Sequence, residues 1–145
     1  MTRSRRMQPV ARLAESRQLD AVRRMGERQQ SLDEQLRRLD ELNAYRDEYA
    51  RRFEDGTQSM VGLNVRDYRL FLSRLNIAIE QQAVEVERAR AALEESRGAW
   101  RESRVHRDAV HKAIDRFQVE ERHQAERNEQ SENDEHGRRR KPDER

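Results

Sequence analysis

The chain has no cysteine, two prolines, five glycines and few aromatic residues: three Tyr, three Phe and one Trp, 5% of 145 positions. Without cysteine there are no disulfides and no thiolate metal sites, and the composition fits a reducing compartment. Scarce Gly and Pro leave little punctuation for a fold made of many short elements. Long hydrophobic runs are also missing, and no stretch approaches the length needed to cross a bilayer. The N-terminus "MTRSRRMQPV" is basic but has no apolar segment behind it, so it does not read as a secretory signal. Nor is there an excess of either charge. Thirty-one basic side chains face 29 acidic ones, a net charge of +2 that argues against a dedicated nucleic-acid binder.

What is present is charge and helix-forming residues. With 41% charged and 33% hydrophobic residues, the chain can build a thin apolar seam but not a broad core. Gln, Glu, Arg, Ala and Leu dominate and β-branched residues are few, which predicts an all-α protein. Residues 1–8, with Arg3, Arg5 and Arg6, read as a flexible basic arm. Pro9 suits a first helical turn, so helix 1 is expected over 9–54. "EDGTQSMVGLN" carries Gly56 and Gly62 and reads as a loop over 55–64, closed by Asn64 as an N-cap with Asp67 in the first turn of helix 2. Helix 2 is expected over 65–125. From Glu126 onward no apolar residue remains, and 126–145 read as a charged, disordered tail.

Stepping alternately by four and three from Tyr68 gives Leu72, Leu75, Ile79, Gln82, Val86, Ala89, Leu93, Ser96, Trp100, Ser103, Arg107, Val110, Ile114 and Phe117. This is a coiled-coil seam in one register. The same stepping from Val22 gives Met25, Gln29, Leu32, Leu36 and Leu39 in helix 1. A long helix of this charge needs a partner along its length. An antiparallel two-helix hairpin, monomeric and with helix 2 the longer, satisfies that within one chain. A parallel homodimer satisfies it with two.

Beyond Leu39 the helix 1 seam lands on Asn43, Arg46, Ala50 and Phe53, while the apolar side chains move to Leu42, Tyr45 and Tyr49 on a neighbouring face. Phe71 and Ala78 likewise sit one position before seam residues Leu72 and Ile79. Either the supercoil changes phase here and broadens the core, or a second stripe points outward as a partner-binding patch. In a hairpin both regions flank the same turn, which gathers Tyr45, Tyr49, Phe53, Tyr68 and Phe71 together.

The segments "LNAYRDEY" and "LNVRDYRLFLSRLNIAIEQQ", separated by a Gly-containing loop, closely resemble the hallmark region of the FliJ family of the flagellar type III export apparatus. Tyr45, Tyr49, Tyr68, Phe71, Ala78, Ile79 and Gln81 match its Y-x3-Y, Y-x2-F and A-I-x-Q elements, and Trp100 looks like the family's tryptophan. The resemblance implies a cytoplasmic coiled-coil stalk, peripherally associated with the inner membrane, that enters the export ATPase hexamer and links it to the gate protein FlhA. It also implies contact with the escort chaperones of late export substrates. Carried over by position, the gate-binding surface comprises Leu42, Tyr45, Tyr49, Phe71, Leu75, Ala78 and Gln82. The ATPase would receive the end formed by the start of helix 1 and the distal part of helix 2. A docking role for the stripe predicts that replacing Tyr45 and Tyr49 together leaves melting nearly unchanged while weakening gate binding.

Other signals point nowhere specific. His106 and His111 fall on different helix faces, and with His123 and His136 they read as solvated. The acidic residues have basic neighbours at helical spacing and read as surface ion pairs. No phosphate loop or nucleophile elbow is present, so no enzymatic activity, cofactor, metal or small-molecule substrate is expected. Three other roles are compatible with the pattern: the equivalent stalk of a virulence-type injectisome, a plain coiled-coil spacer, or an anionic-surface or nucleic-acid binder acting through Arg138 to Lys141.

Overall fold

The computed structural model describes residues 1–55 and 65–140. Two α-helices, α1 (Arg3–Glu54) and α2 (Val65–Arg140), pack against each other as an antiparallel hairpin, and the described residues contain no strand. No described helix is long and apolar enough to cross a membrane. Gly56, Gly62 and the Asn64 cap lie outside the described residues, as does the end of the expected tail, 141–145. The helix–helix contacts form two units, Met1–Asp20 with Arg101–Arg145, and Ala21–Trp100.

In the Ala21–Trp100 unit, Leu32, Val86 and Leu93 form the core, flanked by Met25, Leu36, Leu39 and Ala89. Every α2 seam position from Tyr68 to Trp100 is buried or half-buried, as are Met25, Leu32, Leu36 and Leu39 on α1. Val22 and Gln29, placed on the seam by stepping, are instead exposed, Val22 to 41%, and Ala21 takes the inward position beside Val22. The small difference in side-chain bulk between adjacent Ala21 and Val22 hid the true register. Gln82 occupies a seam position and donates its Nε2 hydrogens to the main-chain oxygen of Gln35 (2.9 Å) and its Oε1 (2.7 Å). A single polar pair inside an apolar seam fixes register at some cost in stability.

In the unit built from the chain's two ends, Ala11 and Ala14 pack on Val110 and Ile114, with Met7 against them. Small α1 residues face large α2 residues, which lets the two backbones approach closely. Glu15 Oε1 lies 2.9 Å from His111 Nε2, and its Oε2 lies 3.9 Å from Arg107.

The start of α1 departs from the flexible arm expected over 1–8. The helix begins at Arg3, which leaves Pro9 inside it, and its first turn contains no acidic residue to meet the helix dipole. The missing charge comes from α2. Glu121 accepts hydrogen bonds from Ser4 N (2.9 Å) and Ser4 Oγ (2.7 Å), while Thr2 Oγ1 caps Arg5 N (3.3 Å). Ser4 is thereby buried, and the Arg3 guanidinium lies over the Phe117 ring at 5.2 Å. The Ser4 bonds, the backbone one foremost, hold the Glu121 carboxyl below its ordinary value of 4.5, against a smaller opposing effect of desolvation.

At the other terminus α2 continues to Arg140, through residues that composition assigns to a tail. All side chains over 126–139 are exposed, so tertiary packing contributes nothing there. Local pairs such as Gln124 with Asn128 (3.2 Å) and Arg127 with Gln124 (3.0 Å) support the helix. Arg138 and Arg139 near its end complement the negative pole of the dipole.

Two predictions follow from these contacts. A Cβ placed at Gly26 or Gly98 meets nothing within 4 Å, so Gly26→Ala and Gly98→Ala should each raise unfolding free energy by about 1 kcal/mol. Chemical denaturation of single and double variants checks this. Because the folded pKa of Glu121 is depressed, its contribution is present above about pH 4.5 and lost as pH falls through the lower value. Wild type should therefore melt above Glu121→Gln at neutral pH, and the two melting curves should converge on acidification.

Candidate functional site

Five of the seven aromatic residues meet in the Ala21–Trp100 unit. Helical spacing of four sets Tyr45, Tyr49 and Phe53 along one side of α1, and Tyr68 and Phe71, three apart, face them from α2. Phe53 stacks on Tyr68 with ring centroids 3.8 Å apart and planes 8° from parallel, and Tyr49 stacks on the same Tyr68 at 5.6 Å. Tyr49 also meets Phe71 at 4.3 Å, and Tyr45 meets Phe71 edge-on at 6.1 Å and Tyr49 at 6.5 Å. Aromatic pairs at such separations contribute about 0.5–1.5 kcal/mol each beyond the area they bury.

The burial pattern decides between a phase change and a second stripe. Asn43, Arg46, Ala50 and Phe53 are all half-buried, so the α1 seam keeps its phase beyond Leu39 despite its polar residues. Leu42, Tyr45 and Tyr49 form a second row along the flank of that seam. Leu42 and Tyr49 are half-buried, whereas Tyr45 is 54% exposed. Across from them Phe71 and Ala78 are half-buried and widen the α2 side in the same way.

The seven positions carried over from the resemblance thus divide by environment. Leu75 is 8% exposed and belongs to the seam, and Gln82 spends its amide on Gln35. Leu42, Tyr45, Tyr49, Phe71 and Ala78 are apolar flank positions that solvent reaches, with the rings of Tyr45, Tyr49 and Phe71 in mutual contact and Tyr45 the most open. Around it lie exposed ion pairs, Glu48 with Arg51 (3.2 Å) and Arg52 (3.2 Å), and Asp47 with Arg46 (3.4 Å). Such pairs are worth little to stability and supply a polar rim. Gln35 escaped the sequence reading because it precedes seam residue Leu36 by one position. A polar Gln82 within an apolar row was the signal that a cross-helix partner existed.

Among the described residues no group of three or more His, Cys, Asp or Glu converges on a metal-sized site. The open aromatic margin suits contact with another protein, since tyrosine offers a stiff, amphipathic surface.

The family model described as Flagellar FliJ protein matches residues 3–141 of the chain. No curated protein and no solved structure matches it.

The ring contacts separate the two tyrosines. Tyr49 touches three other rings, so Tyr49→Ala should lower unfolding free energy by about 1–3 kcal/mol. The joint replacement of Tyr45 and Tyr49 should consequently lower stability too. Tyr45→Ala alone removes a more exposed ring with two wider contacts and should cost less, about 1 kcal/mol. Thermal melts of the two single variants measure the difference.

Proposed function

The chain belongs to the flagellar FliJ family, whose members are components of the flagellar export apparatus, and from that premise we propose that it is the cytoplasmic coiled-coil stalk linking the export ATPase ring to the export gate. The observation that carries this reading is the aromatic margin of Tyr45, Tyr49 and Phe71, half open to solvent beside a hairpin seam that does not need Tyr45 for its closure.

In this reading the gate protein FlhA docks on Leu42, Tyr45, Tyr49, Phe71 and Ala78, with Leu75 and Gln82 holding that surface from behind. Apolar anchors with a polar rim are the usual anatomy of a reversible protein contact. The export ATPase receives the start of α1 and the distal part of α2, and escort chaperones of late substrates are further partners. The role is mechanical, with no catalysis, cofactor or small-molecule substrate of its own. Residence in the cytoplasm, at the inner membrane's inner face, follows from attachment to the gate. The working form is a monomeric hairpin.

Coupling ATP hydrolysis to export through such a connector requires that both contacts exist at once. The test is co-purification of the full chain with the export ATPase and with the cytoplasmic domain of the gate. Tyr45→Ala should weaken gate binding at least about tenfold, the loss of one anchoring ring, while ATPase binding and helicity stay unchanged. Equal binding of wild type and Tyr45→Ala to the gate, or no binding of the wild type to either partner, overturns the proposal.

A further inference from the structure

The flank that carries the aromatic rings continues along the Ala21–Trp100 unit as a basic one. Gln35 and Leu42 directly precede seam residues on α1, with Arg28 one heptad before Gln35, and Ala78, Glu85 and Ala92 directly precede seam residues on α2. These rows meet on one side of the pair, where Arg28, Ser31, Glu85, Arg88 and the half-buried Ala89 and Ala92 line a groove of about 250 Å³. Arg24, Arg38, Arg74 and Arg88 each stand four residues before a member of the rows (Arg28, Leu42, Ala78 and Ala92) and so share its face.

The arginines of the two flanks differ in what they pair with. On the opposite side Arg37, Arg51, Arg90 and Arg97, each directly after a seam residue, all meet a carboxylate of their own helix, at 3.9, 3.2, 3.6 and 3.7 Å, with Arg69 the exception. On the groove side Arg88 pairs with Glu85 (2.8 Å) and Arg52 with Glu48 (3.2 Å), but Arg24, Arg28, Arg38 and Arg74 meet no carboxylate among the described residues. From Arg24 to Arg38 the groove side of α1 holds no acidic residue, whereas Asp33, Asp40 and Asp47 follow seam residues on the other side. Arg24 and Arg28 stand one helical turn apart, a spacing at which like charges destabilise a helix. Carboxylates arriving from outside relieve that repulsion, and the chain offers none there itself.

We propose that this flank holds an acidic segment of another polypeptide, its carboxylates on the guanidinium groups of Arg24, Arg28 and Arg38. Guanidinium grips a carboxylate through two parallel hydrogen bonds. Arg28 and Arg38 lie ~15 Å apart along α1, so the segment presents its acidic residues over about ten helical or four to five extended positions. The small Ser31, Ala89 and Ala92 leave room in the groove for that segment. A nucleic-acid strand fits less well, because Glu85 faces the groove and the row continues into apolar Leu42 and Ala78, which suit side chains rather than phosphates. The inference goes beyond the gate contact and needs neither the Tyr45 ring nor the gate.

The absence of native cysteine lets a single fluorophore on the full chain report on each flank. One label sits at Gln81→Cys, exposed on the groove side four residues before Glu85, and another at Ala44→Cys, exposed on the opposite side. The probe is a twenty-residue oligoglutamate at low salt, compared with oligolysine and single-stranded DNA of the same length. Oligoglutamate should change the signal of the Gln81 label saturably and leave that of the Ala44 label unchanged, and oligolysine should change neither. Arg28→Gln with Arg38→Gln should weaken this binding at least about tenfold, whereas Arg37→Gln with Arg90→Gln on the opposite flank should leave it within about twofold. Equal responses from the two labels, equal losses in the two double variants, or DNA binding at Gln81 as tight as that of oligoglutamate overturns the proposal. Arg28→Gln should melt no lower than wild type; a fall would assign the arginine to the fold and overturn it likewise. Tyr45→Ala should bind oligoglutamate as wild type does, so a failed gate-binding test and a failed test of this flank remain distinct results.

Discussion

Everything in this molecule depends on one row of side chains per helix. In a chain with 41% charged residues, the apolar contacts between α1 and α2 supply the stabilisation that neither helix has alone. Eight apolar side chains are buried among the described residues, two of them alanines, and no large side chain is wholly enclosed. Each large aliphatic contributes about 1.5–3 kcal/mol when fully buried, so such a seam is adequate only if it keeps its register. Gln82 serves that end: its amide finds two acceptors on Gln35 in this register, and any slip strands a half-buried polar group.

Where the seam gives out, polar chemistry takes over. α1 begins with a basic first turn and carries a proline in its early turns, both adverse to a helix start. Glu121, one seam step beyond Phe117 on α2, supplies the carboxylate that the start lacks and joins helix formation to helix packing in that unit. Past Glu121, α2 has no apolar face at all, and its path to Arg140 rests on intrinsic propensity and neighbouring pairs. That stretch should be the first part of α2 to fray.

The α2 seam was fully legible in sequence because one register runs unbroken, with Leu, Ile, Val and Trp marking it clearly. α1 was harder. Ala21 and Val22 compete for one seam position, and the small Ala11 and Ala14 give almost no hydropathy contrast although they are among the most buried residues. The extension of α1 to Arg3 was not legible, because its cap comes from a residue more than a hundred positions away. Clustering of the five aromatics could be anticipated from spacing plus a hairpin. Whether they were core or surface could not, since the answer lies in the flanking seam: half-buried Arg46 and Asn43 show that the register holds, which leaves Tyr45 outside it.

The functional account needs this hairpin to be made by a single chain, so that a monomer carries the complete Tyr45–Phe71 face. The most direct measurement is a spin-label distance between Arg37→Cys and Glu80→Cys in one chain, diluted with excess unlabelled protein. Both sites are exposed on facing stretches of the two helices. The account predicts a distance of ~15–25 Å, the usual 8–10 Å between packed helix axes plus the reach of the labels, unchanged by dilution. A short distance that fades as unlabelled chain is added would mean that α1 pairs with another molecule's α2, and would contradict it.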